Sequence, residues 1–519
     1  MSTRHFDAIV LGRTIGALSA AVLLARRSLR VLLLGQGQRP PSYAFDRFRL
    51  RRRCFTLLAG ATPIWRRVLQ ELAQTPRFRR RTVALDPMFT VLWEGRRAEV
   101  APELELFARE IDREFPEVRQ LVDELYSTIA HVNGAADASF ERDVVWPPGS
   151  FWETLEARRV VAGLPLVGHE QHQDLLGKFP PGHAFRDVAL IPAGFATDLG
   201  VPPGQLPPFA LARLHGAWTR GVQALKEGEE ELTRFLVERL EALGGEARLE
   251  RRAVRLVVRR GAVAGILEDG EEEPIGTGVV VSDQSGESVA DLANGEGITP
   301  RARRDWPRLT PTAGRFVVSL VVATRGLPES LGAESFCLPR RTTPPDSRAP
   351  VVHLQRFDQP RESGREAETL LVAEVILPVR GPLSLLEART AVLATLRLHL
   401  PFLDEHVRVV DSPHDGLPLR QESGGRWSEI DRIHVPEAGA TPEPMDWLWV
   451  AEPPGFADLA GEPIRGPIPG TFLVGRTVLP ALGQEGALLA AWSAARLITR
   501  RDRSRQRMRQ KLWTKIETG

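Results

Sequence analysis

The hydrophobic pattern is sharpest over residues 7–34. Asp7-Ala-Ile-Val-Leu11 is an unbroken apolar run after one acid, residues 15–26 repeat alanine and larger apolar side chains at helical spacing, and residues 30–34 return to an unbroken run. Apolar runs without polar alternation are strands covered on both faces, so the pattern predicts a parallel βαβ unit. Gly12 ends the first strand and Gly16 opens the helix, which aims backbone amides at whatever lies over the helix N-terminus.

Further along, residues 63–74 predict a helix, 90–93 a strand closed by a Glu94-Gly95 turn, and 102–115 a polar helix. Residues 146–208 are rich in Pro, Gly and aromatics, which predicts surface or lid loops at a boundary. An amphipathic helix over 227–245 stops at Gly244-Gly245 and leads into strands at 248–249, 253–259, 262–268 and 278–282. Residues 314–441 read as mixed α/β, with strands at 316–322 and 369–377 and a helix at 384–400. A last apolar strand, 471–475, precedes a helix at 485–498.

Glycine-marked strand-to-helix junctions at both ends of the chain predict one α/β, Rossmann-like nucleotide-binding domain assembled from residues 1–100, 210–300 and 440–499. An α+β substrate domain of 101–209 and 301–439 is interleaved with it, and 500–519 form a basic tail.

Composition narrows the picture. An apolar fraction of 43% with 26% charged residues is that of an ordinary globular chain, and no run reaches the roughly 18 apolar residues that a bilayer span needs. The polar start has no small-residue cleavage site, so the expected location is the cytoplasm. Cys54 and Cys337 are too few for a disulfide framework and read as buried thiols.

The net charge of +2 is uninformative, but the arginines cluster at 47–53, 77–81 and 500–515. The first two clusters read either as solvated faces or as sites for phosphate or anionic lipid. The tail sets Met508, Leu512 and Ile516 four apart among basic residues, with Trp513 alongside. That pattern suits a helix on the anionic inner face of a membrane, or a solubilising tail. No stacking platform or nucleic-acid motif accompanies it, so no nucleic-acid partner is expected. His169 and His172 have metal-ligand spacing without a third ligand and read as a surface loop. His215 is either a cavity contact or core packing.

Three blocks then carry a resemblance: Asp7-Ala-Ile-Val-Leu-Gly-Arg-Thr-Ile-Gly-Ala-Leu18, the helix and strands of 228–283, and Gly470-Thr-Phe-Leu-Val-Gly-Arg476 followed by Gly483-Gln-Glu-Gly486. In this order they resemble the phytoene desaturase-like flavoproteins, a branch of the FAD-dependent oxidoreductases that includes amine oxidases. The resemblance implies FAD as cofactor and a large apolar, polyene or isoprenoid-like substrate that gives hydride to the flavin. It places cofactor contacts at Gly12, Arg13, Thr14, Gly16 and Ala17, at Gly35 and Gln36, at Val254, and at Gly475, Arg476 and Gly486. No catalytic acid, base or nucleophile is named by it.

The chain departs from that pattern where the dinucleotide is gripped. The Gly-x-Gly-x-x-Gly slots hold Gly12, Thr14 and Ala17, and a β-branched Thr14 stands where the backbone should approach the pyrophosphate. The ribose acid falls at Gly35, leaving Gln36 as a neutral substitute. Pro40-Pro41 replaces a Gly-Gly turn, and Arg476 replaces an aspartate. Polar contacts are worth on the order of 1–3 kcal/mol each, so these changes together predict weakened FAD binding. Two readings stay open: a flavin oxidoreductase, and a flavin-free relative that binds or scaffolds. Arg13 and Arg476 form a reorganised anion site on one view, and Arg13 merely faces solvent on the other.

Overall fold

The computed structural model describes residues 5–167, 174–342, 346–359, 366–439 and 441–517, with backbone alone beyond Arg500. Strand β1 (Ala8–Leu11), helix α1 (Ile15–Arg26) and strand β2 (Val31–Leu34) form where the apolar runs place them. β1 and β2 pair in parallel with Ile9 opposite Leu32, and every residue of both strands is buried. The sheet has five strands in the order Thr471–Leu473, Val280–Ser282, β1, β2, Glu246–Arg248. All of its pairings are parallel. Segments from both ends of the chain therefore meet at the C-terminal edge of β1. α1 is buried from Ile15 to Ala25 because the sheet, the helix Glu229–Ala242 and the terminal helix Gly483–Glu517 all pack on it.

A second sheet of ten strands is built around Arg308–Ala323, which pairs antiparallel with Glu368–Pro378, Val407–Asp411 and Asp446–Glu452. Strand alternation sorts its side chains. Phe316, Val318, Leu320 and Val322 pack with Ala388, Val392 and Leu396 of the helix Leu385–His399. Val317 and Val321 face Tyr43 and Leu50 of the hairpin Ser42–Phe45/Phe48–Arg51. The central strand is longer than the predicted 316–322 because its first half pairs with Asp446–Glu452.

The described residues of 146–208 include the α-helices Phe151–Val161 and Ala184–Ala196, where only loops were predicted. Pro147, Pro148 and Gly149 precede the first helix, whose start is fixed by a capping box between Ser150 and Glu153. The terminal helix runs without a break through Glu517, so 500–517 extend the nucleotide-type unit's last helix. No helix among the described residues is long and apolar enough to cross a membrane. His169 and His172 lie outside the described residues, and no group of metal-ligating side chains occurs among the others.

Candidate functional site

β1 ends at Leu11, and Gly12 turns the chain with φ +122°, a conformation open to glycine. The turn then presents consecutive amides at the start of α1. Arg13 N–H donates to Gln38 Oε1 at 3.0 Å and Thr14 N–H donates to Asp283 Oδ2 at 3.0 Å. Gln38 Nε2 closes the set by donating to Asp283 Oδ1 at 2.8 Å.

Asp283 follows Val280–Ser282, the strand between β1 and Thr471–Leu473, and this neighbourhood delivers it to both glycine corners. A Cβ on Gly12 would overlap the Asp283 carboxylate, and one on Gly475 would overlap its backbone carbonyl. The two corners converge, and the group between them is Asp283. Burial pushes its carboxyl above the usual carboxylate range, opposed by the donors from Thr14 and Gln38.

The other sequence-predicted positions are engaged within the protein. Gly16 and Gly486 are packing glycines: a Cβ on either would strike the backbone carbonyl of Val474 or Leu479. Ala17 is in the core. A Cβ on Gly35 would strike the carbonyl of Leu249, so no ribose-binding acid fits there. Gln36 does not substitute for it. Its amide donates to Ala253 O and accepts from Ala253 N–H, both at 2.9 Å, like one more rung of sheet. The next residue, Val254, is 41% exposed.

Arg476 is not free for a phosphate. It donates to Asp198 Oδ1 at 2.8 Å and Trp447 O at 3.2 Å, and lies 3.4 Å from Asp446 Oδ2. Arg13 does not face solvent: it is 6% exposed, with Nη1 on Gln38 O at 3.2 Å. In the 47–53 cluster Arg47 and Arg49 are exposed, Arg51 and Arg52 are buried, and their charges are paired within the protein. Arg47, Arg49, Arg52 and Arg53 pair with Glu368, Glu230, Glu443 and Glu229. Arg81 pairs with Glu231 and Glu238. Cys54 and Cys337 are free thiols.

A cavity of about 860 Å³ joins this corner to the second sheet. Thr14, Gln38 and Asp283 line it, Phe195 and Trp218 form an aromatic wall with His353, whose ring each of them contacts, and Trp447 and Trp449 line it as well. Behind that wall is a buried polar cluster that sequence reasoning missed. Glu334 accepts from His353 Nε2 at 2.7 Å, Gln355 Nε2 at 2.8 Å and Thr56 Oγ1 at 2.7 Å. The His353 ring stacks on Phe336, with centroids 4.8 Å apart. The available signal was a short period-two alternation, with His353 and Gln355 polar against Val352 and Leu354. His215 proves to be core: it is fully buried, its Nε2 meets Tyr126 Oη at 2.9 Å, and burial lowers its pKa to about 4.

No protein-family model and no curated protein sequence matches the chain. Solved structures do. A triple mutant of putrescine oxidase redesigned in its cofactor binding superposes with a TM-score of 0.57 at 15% identity, over 96% of this chain and 100% of that one. An oxidoreductase from Methanosarcina mazei gives 0.53 at 15% identity, over 94% and 99%. Cyclohexylamine oxidase from Brevibacterium oxydans IH-35A gives 0.52 at 14% identity, over 96% and 99%.

The fold is shared with these amine oxidases and this oxidoreductase. In this architecture the dinucleotide's diphosphate lies against the amides that open α1. Those amides are satisfied here by Gln38 and Asp283, and a diphosphate placed on them would meet a carboxylate. Like charges about 4 Å apart repel by roughly 4 kcal/mol at an effective dielectric of about 20. The corner residues as they stand do not fit a diphosphate in that position.

Proposed function

We propose that the chain is a homologue of the flavin-dependent oxidoreductases that takes an organic ligand with a large apolar part into the cavity between its two main sheets. The observation that carries this is the cavity, of about 860 Å³, lined by five aromatic side chains, with its arginines already paired. That volume is in the range of small-molecule sites, roughly 300–1,000 Å³. The three sequence blocks and the aromatic wall support a polyene or isoprenoid-like substrate of the phytoene desaturase kind. A second reading, a flavin-free binding protein, is favoured by one observation, the Asp283 carboxylate at the α1 amides.

Titration with a conjugated polyene alcohol is expected to quench the emission of the cavity tryptophans with saturation near one equivalent. Quenching that never saturates would remove the ligand proposal. The visible spectrum separates the two readings. Oxidised-flavin bands in the purified protein favour the oxidoreductase, whereas colourless protein that gains none on incubation with FAD favours the binding protein.

The basic tail supports a further placement, at an anionic membrane surface, where each basic residue contributes about 1 kcal/mol. Truncation after Thr499 is expected to weaken binding to anionic vesicles at low salt while leaving the melting temperature nearly unchanged. Equal vesicle binding by both forms would remove this placement. No nucleic-acid partner is proposed.

A further inference from the structure

We propose that Asp283 excludes a dinucleotide diphosphate from the N-terminus of α1, so that this chain closes with its own carboxylate the corner where the fold carries a cofactor. The inference rests on the fold and on the cavity being the working site, and it does not depend on which organic ligand the cavity takes.

Three observations converge. First, the closure is a ring and not a single contact. Arg13 N–H reaches Gln38, Gln38 reaches Asp283, and Asp283 accepts from Thr14 N–H, so two consecutive turn amides are satisfied together. Gln38 is held at its other end, where its carbonyl accepts from Arg13 Nη1 at 3.2 Å.

Second, the space is occupied. The Asp283 carboxylate lies against Gly12 so closely that a Cβ there would overlap it, and its backbone does the same to Gly475. The glycines that in this fold let backbone approach a phosphate instead let backbone approach this side chain.

Third, two arginines that line the cavity beside the corner are already paired. Arg53 is paired with Glu229, and Arg476 with Asp198 and Asp446. A diphosphate at the corner would add charge beside a buried carboxylate, and neither of these arginines is free to offset it. Gly35, walled by the Leu249 carbonyl, and Gln36, bound to Ala253, withhold the ribose contacts that would otherwise compensate.

The experiment compares FAD with riboflavin, which has the same ring system and no phosphate. Both are titrated into the full-length protein, Asp283→Asn and Asp283→Ala, following flavin fluorescence. FAD is expected to bind Asp283→Ala at least about tenfold more tightly than the wild type, since each 1.4 kcal/mol of relieved repulsion is a factor of ten. Asp283→Asn, nearly isosteric and neutral, is expected to lie between them and covers the case in which alanine disturbs the fold. Riboflavin is expected to bind all three alike. The inference is overturned if the wild type purifies with FAD bound or binds it as tightly as both variants. It is also overturned if neither variant gains affinity, or if riboflavin gains as much as FAD. None of these outcomes bears on polyene quenching, so the proposed ligand class stands or falls separately.

Discussion

Replacing Arg213 with methionine is expected to lower stability by about 3–5 kcal/mol, the cost of stranding a buried charge. Arg213 is 2% exposed on the helix Pro208–Thr219. Its Nε donates to Glu485 Oε2 at 3.0 Å, and its Nη1 donates to Asn133 Oδ1 and Asp137 Oδ1, both at 2.8 Å. Asp137 keeps a second partner, Arg220 Nη1 at 2.9 Å, but Glu485 is itself buried in the first turn of the terminal helix. Removing Arg213 therefore leaves Glu485 without its hydrogen-bonding partner, stabilised by the helix N-terminus, worth about 0.3–1 kcal/mol, and by the more distant charge of Arg220.

The double variant Arg213→Met/Glu485→Leu is expected to recover most of the loss, because replacing both members of a buried pair with apolar groups of similar volume is often close to neutral. Urea denaturation of the two singles and the double gives the coupling directly. A single variant within about 0.5 kcal/mol of the wild type would show that the pair carries no such role. The consequence reaches the cavity, since Gln484, beside Glu485, lines it and holds Thr56 O at 2.8 Å.

What the sequence makes legible is what local patterning controls. The run Ala8–Leu11, the helix Ile15–Arg26 and the run Val31–Leu34 are each decided by a hydrophobic period, and each forms where that period puts it. The departures from the flavoprotein pattern at Thr14, Gly35 and Arg476 were also visible. What surrounds them was not. Asp283 meets Thr14 across a separation of 269 residues, and only the order of strands in the parallel sheet brings them together. The ion pairs of the 47–53 arginines were hidden for the same reason: their carboxylate partners come from the helix Glu229–Ala242 and from residues 368 and 443, none of which is near in sequence. Proline and glycine misled over 146–208 because they mark the approaches to helices there. Even Pro192, inside Ala184–Ala196, is tolerated.

The second large effect is expected at Glu334. Alanine there leaves His353 Nε2, Gln355 Nε2 and Thr56 Oγ1 without their shared acceptor, in a place where all four residues are buried. Hydrogen bonds to a charged group contribute about 1.5–3 kcal/mol each, and because these three share one carboxylate they will not add, so a loss of about 3 kcal/mol or more is expected. Glu334→Gln separates the charge from the geometry. Its amide oxygen can still receive Thr56 and Gln355, while its NH2 meets His353 Nε2, which can accept only if the ring proton moves to Nδ1. That nitrogen is buried without a partner, so the glutamine variant is expected to fall between wild type and alanine. Nitrogen NMR of His353 should report the change of tautomer. Because the ring stacks on Phe336 and stands edge-on to Trp218, the polyene is expected to bind both variants less tightly. Alanine at 334 with wild-type stability and an unmoved His353 resonance would mean that the cluster does not hold the aromatic wall in place.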